Sequence, residues 1–167
     1  PAPGDVVTIS GRVTYDFVPL APVGGLDYTA IEERPVRLVP VQFFANGTAL
    51  ATATTDRDGN FSLEVPANRT GFMRVRAQME QSGSASWFFR VVDNTMADAT
   101  YTLDGNSFSS GTTDQIRDLH ADSGWTGARY GNERAAAPFA ILDTILVGAD
   151  FIVDADAATV FPSLDIH

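Results

Sequence analysis

The side chains in this sequence that could do chemistry are carboxylates and two histidines, and their spacing decides how far each can be taken. Asp114, Asp118 and Asp122 recur every fourth residue, with His120 between the last two. On a helix that spacing stacks carboxylates along one face, where they could bind a cation or serve as an acid/base pair. No second helix with matching ligands is visible. The favoured reading is therefore the solvated side of a short helix, partly neutralised by Arg117. Asp56, Asp58 and Asn60 place oxygen-bearing side chains at alternate positions, the way a calcium loop begins. Phe61 then stands where that loop needs glycine, and Ala67 where it needs a bidentate glutamate. A hairpin turn at Asp58-Gly59 accounts for these residues without a metal.

Nucleophilic and zinc chemistry find less support. Ser123-Gly124-Trp125-Thr126-Gly127 lacks both the G-x-S-x-G order and the preceding strand of a nucleophile elbow. His120 and His167 are far apart, and neither belongs to an H-E-x-x-H pattern. The absence of cysteine removes disulfides, thiolate nucleophiles and cysteine zinc sites. All 11 basic residues are arginine, which excludes Schiff-base lysines and a phosphate-loop lysine. No catalytic, metal or cofactor residues are assigned, and the chain is read as non-catalytic.

The side chains suited to contact are aromatic. Trp87, Phe88 and Phe89 put large apolar groups on both faces of one predicted strand, which demands cover from another part of the chain or from another subunit. Trp125 and Tyr130 sit in a glycine-rich loop, where they could stack on a sugar or a partner protein, or plug the core of their own region. These five are the candidate interface residues. Asn46, Asn60 and Asn68 head N-glycosylation sequons, which matter if the host glycosylates.

The elements that must position these residues are legible from periodicity. At 167 residues, 44% hydrophobic and 19% charged, the chain can build one good core with a smaller element attached. A net charge of -10 argues against a nucleic-acid partner. No apolar run reaches membrane-spanning length, the longest being broken by Asp143, Gly148 and Asp150. The start at Pro1-Ala2-Pro3-Gly4, without Met, reads as a trimmed terminus behind an export signal, so a secreted or cell-surface location is expected.

Val7, Ile9, Val13 and Tyr15 alternate with polar residues as a half-buried strand does, with Gly11 suggesting a bulge. A Pro/Gly-rich stretch at 19–25 opens a long loop. The apolar set then changes parity at Pro40, which predicts a kinked edge strand. Asn46-Gly47 and Asp58-Gly59 read as hairpin turns. Strands follow around Phe61, Met73, Trp87 and Tyr101, a spacing that indicates an antiparallel sandwich. Residues 104–111 read as a polar linker. Beyond it a short helix capped by Thr112 or Thr113 should run through Leu119, and a longer one, capped by Asn132, should span about 133–149, its regular part beginning nearer Ala136 so that Pro138 lies in the first turn. Ile141, Leu142, Ile145, Leu146 and Ala149 form its apolar stripe. Residues 160–166 close the chain as an edge strand.

The stretch VTISGRVTYD, followed after the long loop by RPVRLVPVQFFANGTALATATTDRDGNFSLEV, resembles the carboxypeptidase regulatory-like, or transthyretin-like, β-sandwich family across residues 6–92. The resemblance implies an antiparallel Greek-key sandwich over residues 1–103 and a helical extension over 112–167. Such domains are usually accessory modules of secreted or cell-surface proteins. The C-terminal part is similar to the segment that precedes a zinc-peptidase-like domain in large secreted bacterial proteins. The functional expectation is a non-catalytic extracellular module working through protein contacts or self-association, by edge strands at 6–15 or 160–166 or by apolar surfaces. The alternatives are the accessory portion of a secreted zinc peptidase, and a carbohydrate-binding module using Trp125, Tyr130 and Trp87.

Overall fold

The structure, a computed structural model, describes residues 5–167. Pro1-Ala2-Pro3-Gly4, on which the trimmed-terminus expectation rests, lies outside the described residues. The protein is mainly β, 46% strand and 12% helical, with several antiparallel sheets and one C-terminal helix. In chain order the elements are β1 (Val6–Phe17), β2 (Glu32–Pro35), β3 (Pro40–Ala45), β4 (Thr48–Thr54), β5 (Asn60–Pro66), β6 (Thr70–Arg76), β7 (Gln78–Gln81) and β8 (Trp87–Asp93). There follow β9 (Ala99–Thr100), β10 (Thr102–Asp104), β11 (Phe108–Ser109), β12 (Gln115–Ile116), β13 (Leu119–Ala121), α1 (Ala137–Ala155) and β14 (Leu164–Ile166).

β1 is the spine of the first sheet. Its first half pairs antiparallel with β5 and its second half with β2, while β12 and β13 run parallel to it on the other side. The second sheet has the order β10-β6-β3-β4, and the third the order β14-β8-β7. Alternation along the strands puts Val7, Ile9, Val13, Phe61, Leu63 and Val65 from the first sheet into one cluster with Val41, Phe43, Met73 and Val75 from the second. α1 contributes Phe139, Leu142, Leu146 and Ala149 to the same cluster.

Several expectations change. Gly11 pairs with Phe61 in unbroken register, so there is no bulge. Glycine is needed there because a Cβ would overlap the Arg117 carbonyl, which lies close against β1. β3 is an inner strand, bonded to both β4 and β6. Pro40 is tolerated because it is the first residue of the strand, where a missing N–H breaks little of the ladder, and the parity change before it falls on Leu38, whose φ is +57°. The hairpin at Asn46-Gly47 is as expected, with φ of +50° and +80°.

The short helix expected at 112–119 is absent, since the chain runs there as β12 and β13 along β1. The stretch 104–111 is no free linker: Phe108 and Ser109 pair with β6, Phe108 lies edge-on to Phe43, and Ser110 is fully buried. The long helix begins at Ala137, close to the start that Pro138 requires, and ends later than expected, at Ala155. Its cap position is Ala136 rather than Asn132, no side chain caps it, and Pro138 lies in its first turn. Without a cap the helix depends on burial, at about 1.5–3 kcal/mol for each large apolar side chain such as Phe139 or Leu142.

Candidate functional site

The acidic series does not sit on a helix. Asp114 accepts the Thr8 N–H at 2.8 Å and Asp118 accepts the Arg12 N–H at 2.8 Å, so both carboxylates bind backbone donors of β1. Two residues on, His120 reaches Thr14 Oγ1 through Nδ1 at 2.9 Å and Asp16 Oδ1 through Nε2 at 3.1 Å. The other Asp16 oxygen accepts the Ser123 N–H at 2.9 Å. Asp122 stands 4.0 Å from the His120 ring. Asp16, His120 and Asp122 thus bring three ligand-type atoms within 4.8 Å of one another. Both ring nitrogens and both Asp16 oxygens already serve the β1–β13 junction, which makes the group a lateral clasp between two parallel strands.

The turn after β4 is also self-satisfied. Asp56 Oδ1 accepts the N–H groups of Asp58 and Asn60 at 2.9 and 2.8 Å, and the Asn60 amide bonds the same carboxylate. These bonds, led by the Asn60 side chain, hold the Asp56 carboxyl below its ordinary range. Gly59 supplies the positive φ of the turn, +81°. The Asp56 oxygens, which a calcium loop would aim at an ion, are used to shape the turn that carries the chain from β4 in one sheet to β5 in another.

The five aromatic candidates fall into two groups. Trp87 and Phe89 are buried, stacked on each other, and both meet Phe161 edge-on. They are covered by the chain's own C-terminal segment, which returns to pair β14 with β8. Trp87 Nε1 has no hydrogen-bond partner, and Phe88, on the opposite face of β8, is half-buried. Trp125 and Tyr130 belong to a trio completed by Tyr28 of the long loop. Tyr28 stacks on Trp125 with centroids 4.0 Å apart, Tyr130 meets both edge-on, and the Tyr130 hydroxyl bonds that of Tyr28 at 3.0 Å. Arg134 lies over the Tyr130 ring. One face of Trp125 and one of Tyr28 are taken by their mutual stacking, and the trio staples the 18–31 loop to the 122–136 loop. Nothing in the local sequence around Tyr28 identified it as the third ring.

The side chains that periodicity assigned to the helix stripe divide. Leu142, Leu146 and Ala149 are buried, whereas Ile141 and Ile145 are only partly so. α1 is fixed further by polar contacts that sequence reasoning missed. Asp143 accepts the Tyr15 hydroxyl at 2.9 Å and the Arg37 Nε at 2.6 Å, and Arg57 grips Asp150 with two bonds of 2.7 and 2.9 Å. Burial, and then the adjacent Asp143 charge, push the Tyr15 phenol well above its ordinary value. What α1 leaves outside includes the large apolar side chains Val147, Phe151 and Ile152, with Thr144 and Asp154 exposed beside them. No helix among the described residues is long and apolar enough to cross a membrane.

No protein-family model matches the chain, and no curated protein matches it either. Two solved structures share 14% identity with it. One is a proposed carbohydrate binding protein from Pseudomonas aeruginosa, with a TM-score of 0.35 over 71% of this chain and 92% of that one. The other is a 9R-lipoxygenase from Cyanothece, with a TM-score of 0.32 over 70% of this chain but only 16% of the lipoxygenase. Likenesses this distant bear on neither ligand nor activity.

Proposed function

We propose that the chain is a non-catalytic interaction module of an extracellular protein, a transthyretin-like Greek-key β-sandwich of the carboxypeptidase regulatory-like type, which self-associates through its C-terminal helix. The sandwich is supported by the antiparallel sheets that share one apolar cluster. The functional reading is carried by the outward face of α1. One side of this helix is sunk in the core, yet Phe151 is 78%, Val147 57% and Ile152 46% exposed on the other. An aromatic ring left in water forgoes roughly 1.5–3 kcal/mol of burial. Gly148, beside Val147, has open space where a Cβ would stand, so the backbone of a second helix can approach closely there. Pairing of α1 with the same helix of a second copy covers these residues in both chains at once, as an isologous contact does.

Sedimentation velocity of the intact chain at rising concentration tests the reading. Association is expected, and Val147→Ser with Phe151→Ser should weaken it. A chain that stays monomeric, or association untouched by the double substitution, overturns it.

A further inference from the structure

A sheet can still accept a strand wherever a terminal strand leaves one side of its backbone unpaired, and proteins blunt such edges with charges, proline or a bulge. Among the described residues, β2, β4, β5 and β7 are terminal strands of four residues or more. β2 is EERP, β5 contains Glu64 and Pro66, and β7 contains Glu80. β4, TALATAT, contains no charge and no proline. The ends expected to be exchanged between copies offer less: β1 is bonded on both sides, and β14 carries Asp165.

β4 has one irregularity. Phe43 faces Ala51 while Phe44 faces Ala49, so Leu50 is an extra residue. Past it, residues 51–54 run in regular register down to Pro40. Within that run Thr52 and Thr54 are exposed on the outer face, while Ala51 and Ala53 turn inward and are half-buried.

We propose that residues 51–54 of β4 pair antiparallel with the same residues of a second copy, joining two sheets edge to edge. The alternation makes the segment its own complement. Any antiparallel register that keeps outer faces aligned sets threonine against threonine and alanine against alanine, and cross-strand threonine pairs are favourable. Charge selects the same occupant. Two chains of net charge -10 repel, and an uncharged strip is where their backbones can meet without placing like charges opposite each other. The contact adds to the self-association proposed above and rests on that reading only for the premise that copies meet. With α1 and β4 on separate elements, each copy has two isologous contacts, and the assembly grows past the dimer, closing as a tetramer or larger ring where the two two-fold axes meet and extending as an open chain where they do not.

Sedimentation velocity and light scattering on the intact chain test this with two sets of substitutions. The wild type is expected to form species larger than dimers, more so at higher salt, which screens the repulsion. Thr52→Lys with Thr54→Lys places ammonium groups opposite one another in either register. It also lowers the net negative charge, so a loss of pairing cannot come from overall repulsion. This variant should stop at the dimer, with the β4 contact weakened about tenfold or more, and so should Val147→Ser with Phe151→Ser. The two sets combined should be monomeric. Thr52→Val with Thr54→Val keeps an uncharged strand and should assemble as the wild type does. Unchanged far-ultraviolet circular dichroism and urea midpoints confirm folding. A lysine variant that still grows beyond the dimer overturns the β4 contact and leaves the helix contact standing. A helix variant that behaves as wild type, while the lysine variant is monomeric, overturns the helix contact and supports β4.

Discussion

Asp143 offers the sharpest test of how α1 is held. Its carboxylate takes the Tyr15 hydroxyl on one oxygen and Arg37 on the other, in a place where Tyr15 is fully buried and the Asp143 and Arg37 side chains are 13% and 20% exposed. Asp143→Ala leaves the tyrosine O–H unsatisfied, at about 1–3 kcal/mol. It also leaves a guanidinium without its counter-ion, and removing one partner of a buried pair costs about 3–5 kcal/mol. The two costs overlap, and Arg37 keeps some contact with water, so the expected loss is about 3–4 kcal/mol. Tyr15→Phe leaves the Arg37 bond intact and should cost about 1–2 kcal/mol. Urea unfolding followed by tryptophan fluorescence reads both as a lower midpoint at constant slope. Because the substitutions break a shared bond, the double variant should fall short of additivity by about 1 kcal/mol. A loss below about 1 kcal/mol for Asp143→Ala, or strict additivity, would refute the anchor.

Two further outcomes follow from single residues. The Tyr15 phenol is raised in the folded state by burial and by Asp143, so the stability it contributes is complete below the ordinary tyrosine value of about 10 and declines as pH rises beyond it. Urea midpoints across alkaline pH should show this decline, and Tyr15→Phe should flatten it. Gly11→Ala forces a methyl group into the Arg117 carbonyl; thermal unfolding should show a loss of about 2 kcal/mol or more, and an unchanged melting temperature would mean that the chain at Arg117 does not lie against β1 there.

The strands were legible because their signal is local. Val7, Ile9, Val13 and Tyr15 alternate and are buried, and Asn46-Gly47 supplies the φ values of the β3–β4 hairpin as expected, whereas Asp58-Gly59 makes a turn but no hairpin, since β4 and β5 join different sheets. What local pattern could not supply was the identity of distant neighbours. Nothing near Gly11 announces that Arg117 will lie against it, and nothing near Tyr28 announces Trp125. Pro40 was read as an edge signal because proline cannot donate to a ladder, yet at a strand's first position that defect costs little and the strand lies inside the sheet.

The acidic series is the most instructive case, because a spacing of four is common to two geometries. It returns to nearly the same face of a helix at 3.6 residues per turn, and to the same face of a strand at a period of two. Asp114 and Asp118 fit either, and the deciding fact lies more than a hundred residues away. β1 presents Thr8 and Arg12 at the same interval, and two chains advancing in parallel keep that interval in step. Where β12 and β13 are too short to bond every β1 donor through the backbone, the carboxylates complete the edge. Asp114 and Asp118, whose spacing suggested acid/base chemistry, are thereby consumed in satisfying backbone N–H groups. The surfaces left with unmet potential are instead the exposed Val147, Phe151 and Ile152 of α1 and the uncharged edge of β4, the two on which the proposed self-association rests.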